Sequence, residues 1–495
     1  MNAAWRRLWW IGMAGLGAAS AFALDSPWTN ELRTLTFYEG DAYGTVVHDI
    51  YIDFSNVFQT VNFNGQGLRL HWAGGEPERP GFIRFENWTN RIPAGSFIYR
   101  ADLVLVSRAN SALPNAFLMI GVRGNSGFNE ATAAYAAGGG NIALANRTQV
   151  APDAVAAFNK SVLYSHPFLA TLTDGSVVTA CVSSAARAWF DYYQNASWGF
   201  PNQGFCLNIN NQGSGYDGGS VEFYDSENAD PAKRPRLVVQ YLPPTAQYAM
   251  RLYQAAPTNT AQICKVTAED ALIRKSDWNN QIWNLHTNNY GGAPGPLLVW
   301  EMDGYGQGAV PDGHGALCIR WRGLSYPDNV VRVVDAKLRL NGSSTWNPYD
   351  NSGTFRVRKI LRDWVEGTGT VATPGYTNVT WTNFNAVAGD PSLNKWEHTG
   401  ATGETDSVFL FNLPVSNDRG EILGSDANGW LAALARDWLG GVGNNNGLLL
   451  SAVSGGFIMQ IGNYEPSGNY QKDPYQTAGL LMVFLKARGT VITIR

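Results

Sequence analysis

Hydrophobic and polar positions alternate most clearly between Ala316 and Leu340. Ala316-Leu317-Cys318-Ile319-Arg320-Trp321-Arg322 is an apolar run interrupted by two arginines. Further on, Ala336, Leu338 and Leu340 share one face and Lys337 and Arg339 the other. A period of two predicts strands with one face in a core. The pattern occurs twice. Ile83-Arg84-Phe85 precedes Ile319-Arg320-Trp321 by 236 residues, and Ala101-Asp102-Leu103-Val104-Leu105 precedes Ala336-Lys337-Leu338-Arg339-Leu340 by 235. Trp72 and Trp300, each at the end of an apolar run, lie 228 apart. Offsets this similar predict a duplicated domain whose loops differ in length.

Helical periodicity appears once late in each half. Val182, Ala185, Ala186, Trp189 and Tyr193 are spaced for one helix, and Trp430, Leu431, Leu434, Ala435, Trp438 and Leu439 for the other. A Gly-containing turn and a strand follow each, with Gly204 and Gly447 separated by 243 residues. Each half closes on an apolar strand, Pro235–Tyr241 and Leu480–Leu485. Pro243, Pro244 and Pro257 punctuate the chain between them. The expected fold is all-β: two tandem jelly-roll-type β-sandwiches, residues 24–244 and 258–495, each with one short late helix, joined by a linker at 245–257.

Composition supports that reading. A chain of 495 residues is too long for one ordinary core. Apolar residues make up 45% and charged residues 15%, so the surface rests on Asn, Ser, Thr and Gly. Residues 1–23 read as a signal peptide: Arg6 and Arg7, an apolar run from Leu8 to Ala19, then Ala21-Phe22-Ala23. Its removal takes the formal charge from −4 to −6, which argues against a nucleic-acid partner. No second run of membrane length follows, so the expected location is extracellular, cell-surface or periplasmic.

The order of motifs resembles the DNRLRE-type domain, a secreted bacterial β-sandwich family that includes carbohydrate-binding modules, some of them for alginate. In the second half the resemblance rests on Asp270 to Val299, on Ile319–Leu340, on Trp364-Val365-Glu366-Gly367 with Val379-Thr380-Trp381, and on Trp438 with Asn445-Asn446-Gly447-Leu448-Leu449-Leu450. The first half keeps Ile83-Arg84-Phe85, Trp189, Gly204, Phe223-Tyr224-Asp225-Ser226-Glu227 and Pro235–Val239, without a matching Trp-x-Glu and Thr-Trp pair. The resemblance implies a module that holds an extracellular polysaccharide.

Candidate chemistry is consistent with holding rather than transforming. The six His are isolated, and neither His-Glu-x-x-His nor Gly-x-Ser-x-Gly occurs. Gly304–Gly308 imitates a phosphate loop, but no helix follows it. Asp363 and Glu366 have the spacing of a carboxylate pair; the plainer reading is that Glu366 fixes a loop by accepting backbone hydrogen bonds. Structural calcium would suit Asp303 with Asp312, or Asp270 with Asn289, although Asp-rich loops are also ordinary turns. For sugar binding the candidates are Arg274, Arg320, Arg339, Arg356 and Arg358, on strands beside Trp300, Trp321 and Trp381. Arg320 and Arg339, if outward on neighbouring strands, would form a cationic row for an acidic polysaccharide. Export permits disulfides, and the natural pairing of Cys181, Cys206, Cys264 and Cys318 is within each half; three connectivities exist, and free buried thiols are the alternative.

The leading expectation is therefore a secreted, non-catalytic protein that binds extracellular polysaccharide, acidic polysaccharide included. A self-associating surface, matrix or appendage protein is the second reading. A polysaccharide lyase or hydrolase on a sandwich scaffold is the third.

Overall fold

The period-two stretches form strands, and the two helical stretches form helices. The computed structural model describes residues 27–53, 64–73, 76–110, 116–122, 162–166, 172–211, 219–274, 297–302, 313–341, 353–366, 379–380, 383–385, 393–415, 421–453, 457–461 and 477–487. The expected signal segment 1–23, with Asn289, Asp303, Asp312 and Trp381, lies outside the described residues.

The first half contains β1 (Arg33–Phe37), β2 (Val46–Tyr51), β3 (Leu68–Ala73), β4 (Glu76–Arg79), β5 (Gly81–Glu86), β6 (Phe97–Asn110), β7 (Ala116–Val122), β8 (Val162–His166), β9 (Val177–Cys181), α1 (Ser183–Gln194), β10 (Phe205–Asn211), β11 (Gly219–Phe223) and β12 (Arg236–Leu242). One sheet runs β1-β12-β6-β11-β3-β4, with β9 also on β6; the other runs β2-β5-β10-β7-β8. Their facing sides meet in one core. Phe37, Leu103, Leu105, Val221 and Leu237 come from the first sheet, and Val47, Ile83, Phe85, Phe205 and Leu207 from the second. α1 adds Ala185, Ala186, Trp189 and Phe190 to the same core.

The second half contains β13 (Tyr248–Ala255), β14 (Ile263–Arg274), β15 (Leu297–Met302), β16 (Gly313–Arg322), β17 (Val330–Asn341), β18 (Gly353–Ile360), β19 (Ser407–Val415), β20 (Glu421–Gly424), α2 (Trp430–Gly440), β21 (Leu448–Ala452), β22 (Phe457–Ile461) and β23 (Gly479–Lys486). Its strands follow the order β19-β18-β21-β16-β14-β13-β23-β17-β20. β14 turns the corner: its start pairs in parallel with β13, and Thr267–Arg274 pair antiparallel with β16. The two wings fold onto one core of Leu338, Leu340, Leu480, Met482 and Phe484 against Leu317, Ile319, Trp321, Phe355, Val357 and Leu450. The order β2-β5-β10-β7-β8 in the first half corresponds to β14-β16-β21-β18-β19 in the second, and β1-β12-β6 to β13-β23-β17.

The structure corrects three expectations. Residues 245–257 are not a linker. Tyr248–Ala255 form β13, which lies between β14 and β23 inside a sheet. Ala256 and Ile263 even pack into the first half's core. Nor are the cysteines bridged; none of the four is in a disulfide. Cys206 lies on β10 opposite the core-facing Phe205 and Leu207, and Cys181 on β9 opposite Val178 and Ala180. Their thiols therefore point away from the shared core, on different sheets. Cys318 pairs across from Ala271, seven residues along β14 from Cys264. That is roughly 23 Å of strand, beyond disulfide reach. The cationic row also fails, because Arg320 and Arg339 are both fully buried.

Arg339 points away from its own core, as alternation requires, but the first half covers that face. Its guanidinium meets Glu421 at 2.8 Å, the Thr477 carbonyl at 2.6 Å and Ser184 of α1 at 2.7 Å. Arg187 of α1 is bound to the same Glu421 and donates to the Ile98 and Tyr99 carbonyls. An apolar patch of Trp28, Phe97, Leu242, Met250, Leu252, Leu481 and Val483 lies in the same interface. Trp28 Nε1 donates to Asp335 at 3.0 Å, and Gln262 bonds both the Ile98 amide and the Ser96 carbonyl.

Candidate functional site

Arg320 and Arg322 alternate with Ile319 and Trp321, which face the second core, so both arginines stand on the opposite side of β16. Across the strand pair, Glu269 of β14 is in register with Arg320. Its carboxylate accepts from the Arg320 guanidinium through one oxygen and from Arg322 Nε through the other. Arg320 Nη1 donates to Asp363 at 2.7 Å, Nη2 donates to the Trp364 carbonyl at 2.8 Å, and the guanidinium lies over the Trp364 ring at 4.8 Å. A buried arginine between two carboxylates and an aromatic face is well compensated.

The segment after β18 lies over this outer face. Trp364, Val379, Trp396 and Ala401 form a second apolar cluster with Ala271, Ile273, Cys318 and Leu449. Trp364 Nε1 donates to the Asn446 carbonyl at 2.7 Å. Glu366 accepts from the Asp270 amide at 2.9 Å, which is the loop-fixing role the plainer reading gave it.

A third element completes the site. Asp426 accepts from the amides of Trp430 and Leu431 at the start of α2. At its end, Gly441 (φ 65°) lets the chain turn back, and the Val442 amide bonds the Asp437 carbonyl. The following turn is fastened on both sides. Asn445 Nδ2 donates to the Trp321 carbonyl, and Asn446 Nδ2 to the Leu361 carbonyl at 2.9 Å. Gly447 (φ 79°) passes so close to Ile319 that a Cβ would overlap its carbonyl oxygen.

These pieces enclose an open cleft of ≈ 480 Å³ lined by Arg322, Gly323, Leu324, Asp363, Trp438 and Asn444–Asn446. That volume suits a sugar-sized ligand. Its lining is polar. The side chains of Asp363 and Arg322 are 74% and 51% exposed. Trp438 Nε1 and Asn445 Oδ1 are buried without a hydrogen-bond partner among the described residues. Unsatisfied buried polar atoms are unusual, and here both belong to residues that line the cleft.

Of the expected sugar-binding residues, only Arg320 belongs to this site, and it stands behind the cleft. Trp321 is core. Arg356 is exposed on β18, and Arg358 on the same strand is engaged by Ser407 and the Thr402 carbonyl. Arg274 and Trp300 lie on β14 and β15 with only their backbone described. Asp270 is buried on β14, and among the described residues no group of three His, Cys, Asp or Glu is arranged to hold a metal. Sequence reasoning missed Arg322, Asp363 and Asn444 as cleft residues. The signal was present in the Asn444-Asn445-Asn446-Gly447 run and in Arg322, two places beyond Arg320.

The first half carries the same turn without the same charges. Asn202 Nδ2 donates to the Phe85 carbonyl at 2.6 Å, and a Cβ at Gly204 (φ 88°) would crowd Ile83 and Arg84. At the places of Glu269, Arg320 and Arg322 stand His48, Arg84 and Glu86, by strand register. Glu86 pairs with Arg84 at 2.7 Å and lies 3.4 Å from His48. The sign of the exposed end is reversed.

No family model and no curated protein matches the chain. Among solved structures, a mycobacterial arabinofuranosyltransferase aligns at 10% identity over 93% of this chain with a TM-score of 0.14, which is no likeness of fold. The chain spans 37% of that protein. Among the described residues no helix is long and apolar enough to cross a membrane.

Proposed function

We propose that this chain is an exported, non-catalytic glycan-binding protein whose ligand occupies the cleft between β16, the segment after β18 and the turn after α2. One observation carries the reading. The cleft is lined together by a guanidinium, a carboxylate and three consecutive asparagines, with Trp438 beside them. Hydroxyl groups both donate and accept, so a sugar matches a mixed lining of this kind. The repeated strand order and the repeated Asn-x-Gly turn support a tandem duplication of one sandwich unit. The resemblance to DNRLRE-type modules points to the same function. Affinity electrophoresis through gels holding single soluble polysaccharides tests it. Retention by at least one glycan, lost on Asn444→Ala with Asn445→Ala, is expected. Unchanged mobility across the panel overturns the reading.

Self-association is the second reading, and β19 favours it. This strand lies at the end of its sheet and leaves Val408 and Phe409 48% and 41% exposed. A concentration-dependent sedimentation coefficient that Phe409→Lys abolishes would support it.

A further inference from the structure

We infer that Glu269 and Arg320 hold Arg322 and Asp363 as a fixed donor–acceptor pair, and that this pair selects uncharged polyols with adjacent hydroxyls over uronates. The inference rests on the glycan-binding reading of the same cleft. It begins from which atoms are engaged. Arg322 is held by Nε alone, from Glu269, which leaves its two terminal nitrogens without a partner among the described residues. Asp363 is held by Oδ1 alone, from Arg320, which leaves Oδ2 in the same condition. Both line the cleft.

The holding groups are themselves fixed. Arg320 has 1% of its side chain exposed and also bonds Glu269 and the Trp364 carbonyl. The Glu269 side chain is 19% exposed and is shared by the two arginines. One buried arginine and one carboxylate therefore restrain both exposed groups, which lowers the cost of ordering them when a ligand arrives. A neighbouring pair of hydroxyls satisfies the result, one donating to Asp363 Oδ2 and the other accepting from Arg322.

Charge sets the selectivity. The cleft presents one cation and one anion, and the cation already shares Glu269. A uronate carboxylate meeting Arg322 would also approach Asp363, so like-charge repulsion offsets the attraction. An uncharged sugar meets no such penalty. Glu269 and Arg320 are positioning residues, because they act through the two groups that touch the ligand.

The test measures dissociation constants by calorimetry on the full chain, with cellohexaose, xylohexaose and mannohexaose as uncharged probes and hexagalacturonate as the acidic one. An uncharged probe is expected to bind more tightly than hexagalacturonate. Asp363→Asn should weaken the uncharged ligand about tenfold while narrowing or reversing the preference. Glu269→Gln should also weaken it, and the double variant Glu269→Gln, Arg322→Gln should lose less than the sum of the two single losses. A merely structural Glu269 would give additive losses, and that outcome overturns the positioning role. Tighter binding of hexagalacturonate than of every uncharged probe by the unaltered protein overturns the selectivity and leaves the glycan-binding reading standing. Absence of binding by all four probes, together with no retention by any polysaccharide, overturns both.

Discussion

Glu421 is enclosed between Arg187 and Arg339 with 3% of its side chain exposed. Burial pushes its carboxyl up, and the two guanidinium groups outweigh that and hold it down at about 2. A carboxyl with a lowered folded-state pKa stabilises the fold above its unfolded value, near 4.5, and that stability is lost as pH falls toward 2. The stake is roughly 3 kcal/mol by linkage. Urea unfolding between pH 6 and 2.5 should therefore show a steep loss of stability. Glu421→Gln should lower stability at pH 6 and flatten that dependence. A second residue-scale prediction concerns the thiols. Burial pushes Cys181, Cys264 and Cys318 all upward, so none is poised as a thiolate. Titration with a chromogenic disulfide should find four thiols in denaturant without reductant, and little reaction of Cys318 in the folded protein. Two or fewer thiols in denaturant would restore a disulfide.

At the scale of elements, the turn after each helix is the least replaceable piece. Gly447 combines a left-handed backbone with no room for a side chain beside Ile319 and Arg320, and Gly204 does the same beside Ile83 and Arg84. Alanine at either position should cost about 3 kcal/mol, from backbone strain and displacement of a core strand. Gly447→Ala should also abolish glycan retention, because Asn445 and Asn446 would move. Gly204→Ala should lower the melting temperature and leave retention intact. This is also where the sequence was most legible. Alternation identified which face of β16 and β17 carries Ile319, Leu338 and Leu340, and the helices Ser183–Gln194 and Trp430–Gly440 fall where the period of 3.6 places them. What alternation cannot report is whether the opposite face is wet. Arg320 and Arg339 are opposite the core as expected, yet Trp364 covers one and α1 the other. Each cover comes from a segment distant in sequence, 44 residues away for Trp364 and 155 for Ser184. The strand in 245–257 was missed for a related reason. Its prolines mark turns at its ends, while Met250, Leu252 and Tyr253 carry the burial.

At the scale of the molecule, the two cores do not amount to two independent bodies. Trp28, at the start of the first half, donates to Asp335 in the second and packs edge-on to Tyr99 at 5.3 Å. Ile263, at the start of β14, belongs to the first core, and Gln262 satisfies the Ile98 amide at the start of β6. Separation would expose the patch around Met250, Leu481 and Val483 and would leave Arg187 without its carboxylate. Those costs are incurred together, so the halves are expected to unfold together. Calorimetry at neutral pH should give one transition whose van 't Hoff and calorimetric enthalpies agree. Glu421→Ala leaves two buried arginines without their counter-charge, a loss of about 3–5 kcal/mol concentrated at the interface rather than in either core. The transition should then separate into two, the halves melting in turn. Two resolved transitions in the unaltered protein would mean that the interface does not couple the cores, and a single one preserved in Glu421→Ala at an unchanged temperature would mean that Glu421 does not carry the coupling. Coupling also bears on the cleft. Its arginines lie on the outer face of the wing farther from the first half, so Glu421→Ala should leave glycan retention unchanged at temperatures below the first transition.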